Sequence, residues 1–201
     1  MKAVTSTLLW VAMPFVATYH AVAQSAAPPP GIAVCTSCHG PHGEGSVTGA
    51  PRLAGQNPEY MSHALSMFKA GTRASPIMQP IAQGLTDADM EALPRYFSNQ
   101  TPPLVEADSP ALQTLALAGK QLAETGSAAC FSCHGAGGQG NGTRYPSIAG
   151  QPAKFITDRI HEFQQRARAK APQPGTMTAV SATLSEDQIK ASAAYLSRLP
   201  R

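Results

Sequence analysis

The chain has 201 residues, 43% hydrophobic and only 13% charged, with 15 Lys+Arg against 12 Asp+Glu, 4 Cys, 17 Gly and 18 Pro. The hydrophobic share excludes a disordered chain, a net charge of +3 falls far short of the basic footprint of a nucleic-acid binder, and four cysteines are too few for a disulfide-stapled scaffold. Length alone does not separate one domain from two.

Met1-Lys2 supplies a positive start, Leu8 to Ala17 is a mostly apolar run broken by Pro14, and Ala21-Val22-Ala23 is a small-x-small cleavage site before Gln24. This is the pattern of a secretory signal peptide over residues 1–23. The apolar run is too short for a membrane span, which needs about 20 residues. No Cys precedes Cys35 to carry a lipid anchor.

The first cysteine pair reads Cys35-Thr36-Ser37-Cys38-His39 and the second Cys130-Phe131-Ser132-Cys133-His134. Cys-x-x-Cys followed directly by His is the attachment signature of c-type haem. Two thiols at this spacing add to the two vinyl groups of one porphyrin, and the next residue is then carried under the ring as an iron ligand. Two covalently bound haem c groups are therefore expected. A thioredoxin-like redox pair does not need the His, and a four-cysteine zinc site leaves both His residues unexplained.

Both motifs belong to an internal repeat. Cys35 to Cys130 and Pro51 to Pro146 share one offset of 95 residues, and Pro51-Arg52-Leu53-Ala54-Gly55-Gln56 is matched by Pro146-Ser147-Ile148-Ala149-Gly150-Gln151. Tyr60, Leu65 and Phe68 match Phe155, Ile160 and Phe163 at the same offset, with apolar residues at helical spacing in both copies. Met78, Leu85, Thr86 and Tyr96 then match Met177, Leu184, Ser185 and Tyr195 at an offset of 99, which places a four-residue insertion in a loop within 166–175. A repeat of this length is a domain rather than a solenoid unit. The expected organisation is one domain over 24–98, a proline-stiffened linker over 99–110 and a second domain over 111–201.

Each iron needs a ligand opposite its His, and a Met thioether raises the reduction potential relative to a second His. Met177 is the only Met after the second motif. In the first domain, Met61, Met67 and Met90 fall at helical core positions, whereas Met78 sits between Pro76 and Pro80 in an expected loop and aligns with Met177. Met78 is therefore the choice, with His42 or His63 as the replacements if it is not the ligand. Thr86 and Ser185 each begin a helix as N-caps, the second as a full capping box, and Pro94 predicts a kink in the first of these helices.

The two Cys-x-x-Cys-His-Gly segments, the Pro-x-Leu/Ile-Ala-Gly-Gln segments and the Pro76-Ile77-Met78-x-Pro80-Ile81-Ala82 stretch resemble the dihaem cytochromes c of the c4 type, from about Cys35 to Leu199. The resemblance implies a mostly α fold of two tandem class I cytochrome c domains related by pseudo-twofold symmetry, with haem propionate edges close together. It implies a periplasmic electron carrier, not an enzyme, serving a membrane terminal oxidase or cytochrome complex, or a periplasmic dehydrogenase, with peripheral membrane association left open. It further gives Pro51 and Pro146 as carbonyl partners of the two proximal His rings. Gly119 resembles the small residue at which the first and last helices of the fold cross, against Tyr195 or Leu196. Arg52, Gln56, Tyr60 and Arg144 are candidates for reaching propionates. The first domain departs from the pattern, because Pro28-Pro29-Pro30 shortens its N-terminal helix. A dihaem peroxidase, a thiosulfate-oxidising cytochrome, and a haem subunit of a flavin sulfide dehydrogenase or quinoprotein alcohol dehydrogenase are the alternatives.

Charge is divided unevenly. Residues 24–110 carry 4 Lys+Arg and 7 Asp+Glu, a net −3, whereas 111–201 carry 10 and 5, a net +5. Such a dipole orients encounter with a charged partner.

Overall fold

The structure is a computed structural model that describes residues 27–104, 109–126, 129–169 and 175–200. The signal-peptide segment 1–23, the linker residues 105–108 and most of the four-residue insertion lie outside the described residues. The fold is helical: among the described residues there is no strand, only an isolated bridge between Asn141 and Tyr145.

The first half holds α1 (Ile32–His39), α2 (Pro58–Lys69), α3 (Met78–Gln83) and α4 (Asp87–Ser98). The second holds α5 (Pro110–Glu124), α6 (Cys130–His134), a short 3-10 turn over Ala136–Gly138, α7 (Ala153–Arg168), α8 (Thr176–Ala182) and α9 (Glu186–Leu196). The expected loop around Met78 is a short helix instead, with Met78 its first residue, and Met177 is the second residue of α8. Pro80 is compatible with this because it sits in the first turn, where its missing N–H has no helical acceptor to lose. The insertion also begins inside a helix: α7 continues through Arg168, past the point that matches the end of α2.

Local chemistry explains the helix boundaries. Asn57 caps α2 by accepting from the Tyr60 N–H, and Pro58 opens it. Thr86 and Asp89 close a reciprocal capping box at α4, as Ser185 and Gln188 do at α9, so both final helices carry the full box. Pro94 does not interrupt α4, which runs unbroken from Asp87 to Ser98. A proline at 94 leaves the carbonyl of Met90 without its helical donor, and the Ser62 hydroxyl of α2 lies 3.0 Å from it, its single proton shared with the Pro58 carbonyl at the same distance. The side-chain bond from a neighbouring helix partly replaces the lost backbone bond.

In the second half, α5 lies along α9. A Cβ on Gly119 would stand 2.0 Å from the Ala191 carbonyl oxygen and 2.8 Å from the Tyr195 Cβ, so the two helices touch backbone to backbone at this glycine. Beneath them Ala123, Ile156, Ile160, Leu184, Ile189, Ala193 and Leu196 form a core, with Cys130, Phe131 and Ile148 packed against it. The first half has no described helix equivalent to α5. Ala92 of α4, the match of Ala191, is accordingly exposed.

Tyr195 also donates its hydroxyl to the Glu124 carboxylate at 2.9 Å. Burial first, and then Glu124, push its pKa up to about 12 from an ordinary 10. A raised pKa stabilises the fold fully below the unfolded value, and that contribution is lost as pH rises from 10 through 12. The denaturation midpoint of the unaltered protein should fall over that window more steeply than that of Tyr195→Phe. Parallel pH profiles for the two proteins would remove the assignment.

The halves meet through a reciprocal contact. The Gln56 side chain accepts from the Ser147 N–H and donates to the Ser147 carbonyl, both at 2.9 Å. The Gln151 side chain accepts from the Arg52 N–H at 3.0 Å and donates to the Arg52 carbonyl at 2.9 Å. Gln56 matches Gln151 and Arg52 matches Ser147 at the repeat offset, so the exchange is the signature of a pseudo-twofold axis. All four residues are buried, where unmet amide groups are costly. Gly45 and Gly140, both at positive φ, allow the chain to pass at these points. A Cβ would lie 2.8 Å from the Arg52 nitrogen in one case and 2.9 Å from the Ser147 nitrogen in the other.

Candidate functional site

The two motif helices, α1 and α6, are built to present one residue inward. Along α1 only His39 is buried, and along α6 only His134. Val34 stays 54% exposed. None of the four cysteines is paired with another: Cys38 is exposed and Cys35, Cys130 and Cys133 are half-buried.

Each His ring is fixed by a bracket twelve residues downstream. Nδ1 of His39 meets the Pro51 carbonyl at 2.8 Å, and Nδ1 of His134 meets the Pro146 carbonyl at 2.7 Å. A carbonyl only accepts, so Nδ1 carries the proton and Nε2 is left as an open lone pair, the tautomer an iron ligand needs. Burial pushes both His pKa values down, with the proline carbonyls opposing more weakly. The neutral ring is therefore the favoured form.

The bracket loop is the same in both copies. The His39 carbonyl accepts from the Gly45 N–H as the His134 carbonyl does from Gly140, and the Gly43 carbonyl accepts from Leu53 and Ala54 as that of Gly138 does from Ile148 and Ala149. The opposite side is braced by residues that differ in type. Lys69 at the end of α2 donates to the Leu85 carbonyl at 2.6 Å, and Gln164 of α7 donates to the Leu184 carbonyl at 2.9 Å. Both bonds tie down the loop that follows a Met-bearing helix. Sequence reading misses this pair, because a lysine and a glutamine do not align as chemistry.

The structure leaves Met78 and Met177 half-buried at the starts of α3 and α8. Met61 is buried in α2, a core position, and His42 and His63 are exposed. His161 is paired with Glu186 at 2.9 Å. Of the residues considered for propionates, Arg52 and Gln56 are already engaged across the domain junction. Arg144 lies over the Tyr145 ring.

These residues fit haem c. Two paired thiols and an Nε2 with its Nδ1 already satisfied stand together in each copy. The competing readings of the cysteines fare worse. Burial raises the pKa of Cys35 and Cys130, the reverse of an activated redox thiolate. A zinc site built from the four cysteines would leave both bracketed His rings without a role.

The comparisons with known proteins point the same way. The cytochrome c family model matches residues 32–101 and again 116–200. Cytochrome c4 of Thiocapsa roseopersicina is 38% identical over 173 residues, 83% of this chain and 87% of that one. The thiosulfate dehydrogenase electron acceptor of Thiomonas intermedia (strain K12) is 35% identical over 186 residues, 90% of this chain and 85% of that one. The structure of reduced recombinant cytochrome c4 from Pseudomonas stutzeri superposes with a TM-score of 0.73 at 30% identity, covering 84% of this chain and 94% of that one. With two matched motifs, two His brackets and these likenesses, the chain belongs to the cytochrome c family as a dihaem electron-transfer cytochrome of the c4 type, carrying two covalently bound haem c groups.

Proposed function

We propose that the chain is a periplasmic carrier that passes single electrons through two His/Met-ligated haems, one held by Cys35, Cys38, His39 and Met78 and the other by Cys130, Cys133, His134 and Met177. Haem c supplies an iron that gains and loses one electron. The protein holds its ligands still while that happens. The bracket from Pro51 or Pro146 fixes the ring plane and keeps the proton on Nδ1, so a change of iron charge is met without proton transfer at the ring. The observation that supports the reading is the matched pair of His brackets, each followed by a half-buried Met in the first turn of a short helix, Met78 in α3 and Met177 in α8.

Two matched Met ligands argue for a carrier over an enzyme, since catalysis at haem needs an open or displaceable position. A relative named as an electron acceptor of thiosulfate dehydrogenase supports a periplasmic dehydrogenase as the donor, with a membrane oxidase or cytochrome complex as the acceptor. The net −3 of residues 24–110 against +5 of 111–201 gives the two ends different partners by charge.

The ferric protein should show the weak long-wavelength band of Met-to-iron ligation at both haems and bind added cyanide slowly. Absence of that band at one haem, with rapid ligand binding there, would instead mark an open catalytic site.

A further inference from the structure

Arg52 touches both domains and the segment between them. Its N–H and carbonyl are held by the Gln151 side chain of the second domain. Its guanidinium reaches the other way, with Nη1 donating to the Pro103 carbonyl at 3.0 Å and Nη2 to the Pro102 carbonyl at 2.7 Å. The residue is only 4% exposed. It also follows Pro51 directly, so the carbonyl that fixes the His39 ring and the N–H held by Gln151 belong to one and the same peptide group.

The repeat makes this fork conspicuous. The matching position in the second copy is Ser147, whose hydroxyl turns inward to the Gly138 carbonyl of its own domain. The fork therefore serves only the side of the axis where the linker crosses. A half-open cavity of 410 Å³ lies beside residues 100–104, with Arg52, Gln139 and Arg198 in its wall. Two bonds from Arg52 reach this segment from another part of the chain.

We propose that Arg52 is a positioning residue for electron exchange between the two haems: its two-pronged guanidinium pins the Pro102-Pro103 segment of the linker, and so fixes the relative placement of the two His brackets. The planar fork is essential, because two carbonyls on adjacent residues are met by two N–H groups held at fixed spacing. A lysine ammonium keeps the charge and most of the reach but not that geometry. The proposal rests on the carrier reading for its consequence and on geometry alone for the pin.

The test uses the holoprotein with Arg52→Lys and Arg52→Gln. Two quantities are followed: hydrogen exchange of the Gln100, Thr101 and Leu104 amides, which flank Pro102 and Pro103 where no N–H exists, and the rate of electron exchange between the haems after rapid reduction of one. Both variants should speed amide exchange in 100–104 by at least about tenfold, the share of one charge-assisted hydrogen bond, and should slow exchange between the haems. Lysine should not rescue either effect. Unchanged amide exchange in Arg52→Lys overturns the pin, and faster amide exchange with an unchanged electron rate overturns the positioning role. If Arg52→Gln does not fold with both haems, Arg52→Lys decides alone, since it retains the charge. An unaltered protein that shows no exchange between its haems would sink the carrier reading while the amide result still judges the pin.

Discussion

Gly119→Ala is expected to destabilise the second domain by about 2 kcal/mol, while leaving the first nearly untouched. A methyl group there would lie 2.0 Å from the Ala191 oxygen and 2.6 Å from its carbonyl carbon, distances that backbone atoms cannot yield by rotating a side chain. Relief requires α5 and α9 to separate along their whole contact, which loosens the core through Ala123, Ala193 and Leu196. Overpacking of this kind costs about 1–3 kcal/mol and sometimes more, against a gain of only about 1 kcal/mol in helix propensity. Denaturant unfolding followed at both haems should become biphasic, with the second domain leaving first. A single transition at the unaltered midpoint would show that the crossing tolerates a methyl group.

Met177→His should lower the potential of the second haem by more than about 100 mV, since exchanging a thioether for a nitrogen ligand removes the donor that favours ferrous iron. Met78→His should do the same to the first haem only. Separate redox titration of the two haems measures this, and each variant should leave its neighbour's potential close to where it was. Met78→Ala supplies the sharper control. If its ferric spectrum matches that of the unaltered protein, one of the two exposed histidines, His42 or His63, holds the first iron instead, at the cost of moving a surface residue inward.

Much of this was legible before any coordinates. The motif pair and the repeat offset define both haem-bearing units, since spacing along a helix turn is a local property. The proximal brackets follow from the family likeness, and so does the crossing at Gly119. What the sequence hides is what depends on partners far along the chain. Gln56 and Gln151 read as matching loop residues until folding sets each against the other copy's backbone, 91 and 99 residues away. Pro94 reads as a helix defect because the compensating donor, Ser62, lies in a different helix. Met78 reads as a loop residue because the two prolines around it disguise a helix start. Arg52 is similar: an arginine among small loop residues suggests a carboxylate partner, and nothing in the sequence signals the two proline carbonyls about fifty residues on that its guanidinium meets.

The reciprocal glutamine contact has the form of an isologous interface, in which residue i touches j and j touches i, the arrangement that identical subunits adopt about a twofold axis. Here the two subunits share one chain. The linker then acts as a tether, turning what would be a concentration-dependent dimerisation into an intramolecular event with a high effective concentration. Four buried hydrogen bonds can hold the assembly at any dilution for that reason, a task for which so small a polar contact between separate chains would be poorly suited.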